Sequence, residues 1–133
     1  MSLVKWIDLS LLGDDRGHLT VYEQNKNIPF EIKRIYYLTK TQKNVARGFH
    51  AHKELEQVAV CVSGSCTMIL DNGLEKAELL LDSPVKAVRL EPMVWHEMHD
   101  FSENCVLLVL ASDYYAESDY IRDYQEFVKA ALQ

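Results

Sequence analysis

Two histidines one residue apart, in the run Arg47-Gly48-Phe49-His50-Ala51-His52-Lys53, are the residues of this chain whose type and spacing most plainly suit chemistry. Along a β-strand side chains alternate faces, so residues i and i+2 project into one space. Paired imidazoles, with an ordinary pKa of about 6.5, serve to bind a transition metal, to move a proton, or to satisfy one another in a polar core. Other groups suit an anionic organic ligand. Arg34 and Arg47 offer guanidinium forks that match phosphate oxygens, and Tyr36 offers a phenol. Trp95 and His96 place an indole beside a further imidazole.

The elements that must position these groups are mostly strands. Ile32 to Leu38 is rich in β-branched and aromatic residues, and its alternation sets Arg34 and Tyr36 on one face with Ile32 and Leu38. Val58–Val62 and Cys66–Leu70 read as strands around a tight Ser63-Gly64 turn. Asn72-Gly73 is a strong hairpin signal, suited to a type I′ turn. Leu74–Leu81 and Val85–Leu90 follow, parted by Asp82-Ser83-Pro84. The apolar run Val106–Ala111 predicts a strand buried on both sides. Short strands at this spacing indicate a sandwich or barrel. Only the C-terminus has helical periodicity: Tyr120, Ile121, Tyr124, Phe127, Val128 and Leu132 predict a helix over about 118–132, capped by Ser118 and laid on the outside of a sheet.

Composition bounds the function. With 133 residues, 1–133 forms one domain, long enough to bury roughly two-thirds of its unfolded surface. No apolar run approaches the ~20 residues of a membrane span, and the opening MSLVKWIDLS has no secretion-signal core. Cys61, Cys66 and Cys105 are odd in number and without CxxC spacing, which predicts free, mostly buried thiols and a cytoplasmic protein. The net charge of −6, with no basic run, argues against nucleic acid.

Gly48-x-His50-x-His52-x3-Glu56, followed by Gly64, resembles the first motif of the cupin superfamily, an all-β double-stranded β-helix or jelly roll. In metal-bearing cupins the two histidines and the glutamate bind the ion, and a later histidine completes the site. His96 stands where a second motif, Pro-x-Gly-x-x-His, would place that histidine. Here Val94 replaces the glycine and the motif is one residue short.

Longer strings sharpen the resemblance. Asn25-Lys26-Asn27-Ile28-Pro29-Phe30 leads into Ile32-Lys33-Arg34-Ile35-Tyr36-Tyr37, and then come RGFHAHK (47–53), LEQV (55–58), GSC (64–66), LDSP (81–84), WHEMHDFS (95–102) and VLASDYY (109–115). In this order they resemble the WxcM-like sugar-nucleotide ketoisomerases of the FdtA and QdtA type. That resemblance implies an isomerase acting on dTDP-4-keto-6-deoxyglucose without metal or other cofactor. It also implies a homodimer that exchanges N-terminal strands, and a pathway neighbour, a PLP-dependent aminotransferase, that consumes the 3-keto product for surface-glycan sugars.

The chemistry so implied asks little of a protein. The proton on C3 is acidic because it lies beside the C4 ketone. Its removal gives an enediol(ate), and protonation at C4 completes the shift, with no redox partner. By its match to the family motif His50 is the expected carbon base, with His52 and Tyr36 as oxygen-side partners. Arg16, Arg34, Arg47, Trp95 and His96 are the expected substrate-binding residues. Arg16 in Asp15-Arg16-Gly17, together with His96, resembles the FdtA-type combination and so a galacto-configured product. Two other readings stand beside this one: a metal-dependent cupin (a dioxygenase or phosphosugar isomerase), and a sugar-nucleotide binding module without catalysis.

Overall fold

An antiparallel ribbon, doubled back on itself at Asn72-Gly73 and then rolled, gives the chain its shape. The computed structural model describes residues 3–133. Its strands are β1 (Lys5–Asp8), β2 (Leu12–Asp14), β3 (Gly17–Leu19), β4 (Arg34–Leu38), β5 (Arg47–His52), β6 (Gln57–Ser63), β7 (Cys66–Asp71), β8 (Lys76–Leu81), β9 (Lys86–Leu90), β10 (Trp95–His99), β11 (Val106–Ala111) and β12 (Tyr120–Ile121), followed by helix α1 (Tyr124–Ala131). The ribbon pairs β7 with β8, β6 with β9, β5 with β10, and β4 with β11. Rolling it yields two facing sheets of order β1-β9-β6-β11-β4 and β12-β5-β10-β7-β8. This is the expected jelly roll.

Most predicted strands are present, with local differences. β6 and β7 follow one another through Gly64, whose φ of +68° favours glycine, but they lie in different sheets and do not pair. The Asn72-Gly73 hairpin forms, yet four residues separate Asp71 from Lys76, so its turn is not the two-residue type I′. The Asn72 side chain accepts from the Leu74 and Glu75 amides, and this local bonding favours the longer loop.

The C-terminal expectation needs correction. Helix α1 begins at Tyr124 and is capped by Asp123, whose carboxylate accepts from the Glu126 amide at 3.0 Å. Glu117–Asp119 form a 3₁₀ turn instead, and Tyr120 and Ile121 pair with His52 and Ala51. Their apolar spacing suited a helix, but pairing with β5 prevails. Phe127 is fully buried under the helix against Ala51, Trp95 and Ile121, so the helix does pack on the outer face of a sheet.

Between the sheets lies an apolar core including Ala59, Met68, Leu70, Val88 and Leu107. The three cysteines meet there as buried free thiols, Cys61 Sγ being 3.7 Å from Cys66 Sγ and 3.8 Å from Cys105 Sγ. Burial pushes the Cys105 thiol up to about 12. A second cluster, with Leu9, Ile28 and Phe30, covers the outer face of the other sheet at Val58 and Val60. The short hairpin β2–β3 pairs with itself and lies exposed on every residue.

One irregularity positions the site. Opposite β10, His96 pairs with His50 but Glu97 pairs with Gly48, which leaves Phe49 as an extra residue on β5. Gly48 (φ +93°) and Phe49 (φ +62°) take left-handed backbone to make this bulge. Strict alternation would turn Arg47 away from His50; the bulge sets it opposite Met98 and on the cavity side with His50. A Cβ on Gly48 would meet the His96 carbonyl oxygen at 2.9 Å and Met98 Sδ at 3.1 Å. Gly48→Ala is therefore expected to destabilise the fold by about 1–3 kcal/mol and to lower activity, read by urea unfolding alongside a turnover assay. Unchanged stability would show that the bulge does not need glycine.

Candidate active site

Strand parity brings the predicted groups to one end of the roll. Arg34, Tyr36 and Leu38 from β4, Arg47, Gly48 and His50 from β5, His96 and Met98 from β10, and Tyr120 from β12 line a cavity of about 290 Å³. The His50 ring centroid is 4.6 Å from that of His96 and 5.2 Å from that of His52. Tyr120 packs against both members of the pair, at 5.0 Å from His50 and 4.4 Å from His52. Arg122 lies over the Tyr120 ring, 4.1 Å from its centroid.

Hydrogen bonds assign the tautomers. His50 Nδ1 lies 3.2 Å from the Gly48 carbonyl, which only accepts, so Nδ1 carries the proton and the Nε2 lone pair is free. His96 stands in the same relation to the Val94 carbonyl at 3.4 Å. His52 donates from Nδ1 to Asp119 Oδ2 at 3.1 Å, and its Nε2 is buried without a partner. Asp119 is held in turn, because its carboxylate accepts from the Glu54 amide at 2.9 Å and the Leu55 amide at 3.3 Å.

Burial keeps these imidazoles uncharged. Desolvation, reinforced by His52, drives His50 down to about 4, and desolvation with His50 and His52 beside it drives His96 down to about 3. His52 is lowered too, by burial, with Asp119 pulling it partly back. At neutral pH His50 is thus a free base beside a cavity, the protonation state a proton acceptor needs.

The same shifts make stability pH-dependent. An unfolded histidine protonates below about 6.5, while folded His96 resists until about 3. Their contribution is complete above the unfolded value and declines as pH falls toward the folded values. The loss is about 2 kcal/mol at pH 5 for His96 alone. A fall in Tm of roughly 5–10 °C between pH 8 and pH 5 is expected by calorimetry. A flat Tm would contradict buried neutral histidines.

Tyr36 faces the same space. Its hydroxyl lies 2.6 Å from Gln57 Nε2, and Arg34 stands 5.2 Å from its ring centroid. Burial raises its phenol, with the Gln57 bond and Arg34 opposing.

Two of the expected binding residues lie elsewhere. Trp95, adjacent to His96, has the opposite parity: it is buried under helix α1 against Phe127 and donates from Nε1 to Glu97 at 2.9 Å. It does not reach the cavity. Arg16 stands at the tip of the β2–β3 hairpin, largely exposed and paired with Asp14 at 2.7 Å. His52 lies behind His50 and is not part of the cavity lining. Tyr114 and Tyr115 are exposed.

Three residues were missed. Asp119 is 67 residues from His52, and no spacing rule links them. Tyr120 was hidden in the helical pattern. Gln57 could have been found by carrying the inward alternation of Cys61 and Ala59 back one step.

As for metals, one nitrogen from each of His50, His52 and His96 lies within 4.8 Å of the others. The carboxylate that the first-motif spacing offers is not with them, since Glu56 turns outward and pairs with Arg89. The inward neighbour is the amide Gln57. Among the described residues the donor set therefore stops at three neutral imidazoles, short of the motif's histidine–carboxylate set.

A jelly roll holding neutral histidines, a phenol and two arginines around one cavity defines an enzyme of the acid–base, cupin-like class. The comparisons with known proteins agree. The chain belongs to the family described as FdtA: WxcM-like, C-terminal, whose model matches residues 2–132. It is 57% identical over 125 residues, 94% of this chain and 90% of the relative, to the TDP-4-oxo-6-deoxy-alpha-D-glucose-3,4-oxoisomerase of Aneurinibacillus thermoaerophilus. A 3,4-ketoisomerase structure from Helicobacter canadensis matches with a TM-score of 0.96 at 43% identity, covering 100% of both chains. A histidine-to-asparagine mutant of the 3,4-ketoisomerase QdtA from Thermoanaerobacterium thermosaccharolyticum, in complex with TDP-4-keto-6-deoxyglucose, matches with a TM-score of 0.95 at 44% identity over 98% of this chain and 95% of that one.

Proposed function

We propose that this chain is a sugar-nucleotide 3,4-ketoisomerase that converts dTDP-4-keto-6-deoxyglucose to dTDP-3-keto-6-deoxygalactose. The observation that carries the reading is a neutral His50 with a free Nε2 lone pair, lining the same cavity as the Tyr36 phenol. His50 removes the C3 proton beside the ketone, and the electron pair moves into the enediolate. Tyr36, which lines the cavity, serves the two oxygens where charge develops, while His52, behind His50 and held by Asp119, helps keep the carbon base neutral. His50 then returns the proton at C4. Arg34 and Arg47 at the cavity suit the diphosphate.

The galacto assignment rests on Arg16 and His96. His96 is in the cavity wall, whereas Arg16 is on a hairpin whose Leu12 and Leu19 are half exposed. Such an apolar arm suits exchange with a second copy, so that Arg16 serves the partner's cavity in a homodimer. The 3-keto product is the carbonyl that a PLP-dependent aminotransferase requires, and the setting is the cytoplasm. Incubation with the substrate, followed by ¹H NMR, tests the reading: a 3-keto sugar with an axial C4 hydroxyl supports it, and the gluco epimer refutes the stereochemical part.

The three-imidazole cluster favours a second reading, a metal-dependent cupin. Stoichiometric zinc, iron or manganese by elemental analysis, with turnover lost to chelators, would establish that reading instead.

A further inference from the structure

We infer that Gln57 is a positioning residue for the isomerisation, its amide N–H holding the Tyr36 oxygen so that the phenol's own proton is presented to the sugar. This rests on the reading of Tyr36 as the oxygen-side partner. Gln57 is 1% exposed, inward on β6 beside the apolar core, where an uncharged amide is costly unless it is bonded. Among the described residues its side chain bonds only from Nε2 to the Tyr36 hydroxyl, at 2.6 Å, and its Oε1 has no partner. The phenol oxygen accepts from Gln57, and among the described residues no acceptor takes its O–H. That proton is left for a ligand in the cavity that Tyr36 lines.

The position of Gln57 strengthens the case. Its neighbour Glu56 faces outward to Arg89, so at the start of β6 the inward side chain is an uncharged amide and not a carboxylate. In the reaction, as His50 takes the C3 proton, the C4 oxygen takes the Tyr36 proton and leaves a phenolate. The Gln57 N–H stabilises that phenolate. The phenolate then takes the proton from the C3 hydroxyl while His50 delivers its proton to C4. Both groups return to their starting states, and the product differs from the substrate only in where the carbonyl stands. The other ionisable groups bearing on Tyr36 are Arg34 from its own strand and Tyr120 from β12, with His50 and His96 on the facing walls.

The test uses Gln57→Met, which keeps the shape and removes the donor, and Gln57→Glu, which puts an acceptor in its place. Both are expected to lower kcat by about 10–100-fold, as for loss of one hydrogen bond to a charged group, with KM within about threefold. The alkaline limb of the kcat–pH profile should move to higher pH, and the ¹³Cζ resonance of Tyr36, assigned by its loss in Tyr36→Phe, should shift at neutral pH. A merely structural Gln57 would move neither the limb nor the resonance. The proposal is overturned if kcat is kept in Gln57→Met, or if kcat falls with the limb and the Tyr36 resonance unmoved. It is also overturned if the limb moves to lower pH, which would mean that Gln57 accepts the Tyr36 proton. A separate failure is visible in Tyr36→Phe: undiminished kcat there removes the oxygen-side reading itself.

Discussion

Replacing His50 by asparagine is expected to lower kcat by about 10²–10⁴-fold, the usual worth of a positioned general base, while substrate still binds. Asparagine is close in size and can still donate toward the Gly48 carbonyl, so the bulge on β5 keeps its contacts. What disappears is the lone pair. Neither neighbouring imidazole stands in the place of His50. His96 is held down to about 3 and stands on another strand, and His52 is tied to Asp119 behind His50. The diphosphate would still meet Arg34 and Arg47, so titration calorimetry with TDP should give a Kd near that of the wild type. An enzyme that retained most of its kcat would assign the carbon base elsewhere, with His96 the first alternative.

Asp119→Ala is the second large effect, and it acts on both stability and rate. The carboxylate accepts from His52 and from the Glu54 and Leu55 amides, so its removal leaves buried donors unsatisfied. A loss of about 2–4 kcal/mol in urea unfolding is expected. The His52 tautomer is also released, because the Nδ1 proton no longer has its acceptor. Once Nε2 carries the proton instead, the lone pair unpartnered in the native protein is gone. Asp119→Asn separates the two effects. It keeps one of the two acceptor oxygens, so part of the stability returns, but its Nδ2 then faces a donor at the other position, the charge-assisted hold on His52 is weakened, and kcat is expected to stay about tenfold or more below wild type. Wild-type kcat in Asp119→Asn would confine Asp119 to a structural role.

These residues show what a sequence exposes and what it withholds. The strands were legible because β-branched alternation is local, and the inward sharing of His50, His52, Arg34 and Tyr36 follows from parity alone. Arg47 reached the cavity for a reason parity lacks, the bulge at Gly48 and Phe49. The side of Trp95 was knowable from its place next to His96 once that segment is read as strand β10. Tyr120 and Ile121 satisfied a helical spacing and a strand equally, and only pairing with β5 decided between them. Asp119 depends on a contact across the fold that no short pattern encodes. Arg16 stands apart again, because among the described residues its hairpin pairs only with itself.

The central claim is that a neutral His50 moves a carbon-bound proton beside the ketone. The most direct measurement is ¹H NMR of dTDP-4-keto-6-deoxyglucose in D₂O, with wild-type protein and His50→Asn side by side. A new 3-keto sugar is expected with the wild type and none over the same period with the variant. An unchanged substrate with the wild type, or unimpaired conversion by His50→Asn, would contradict it.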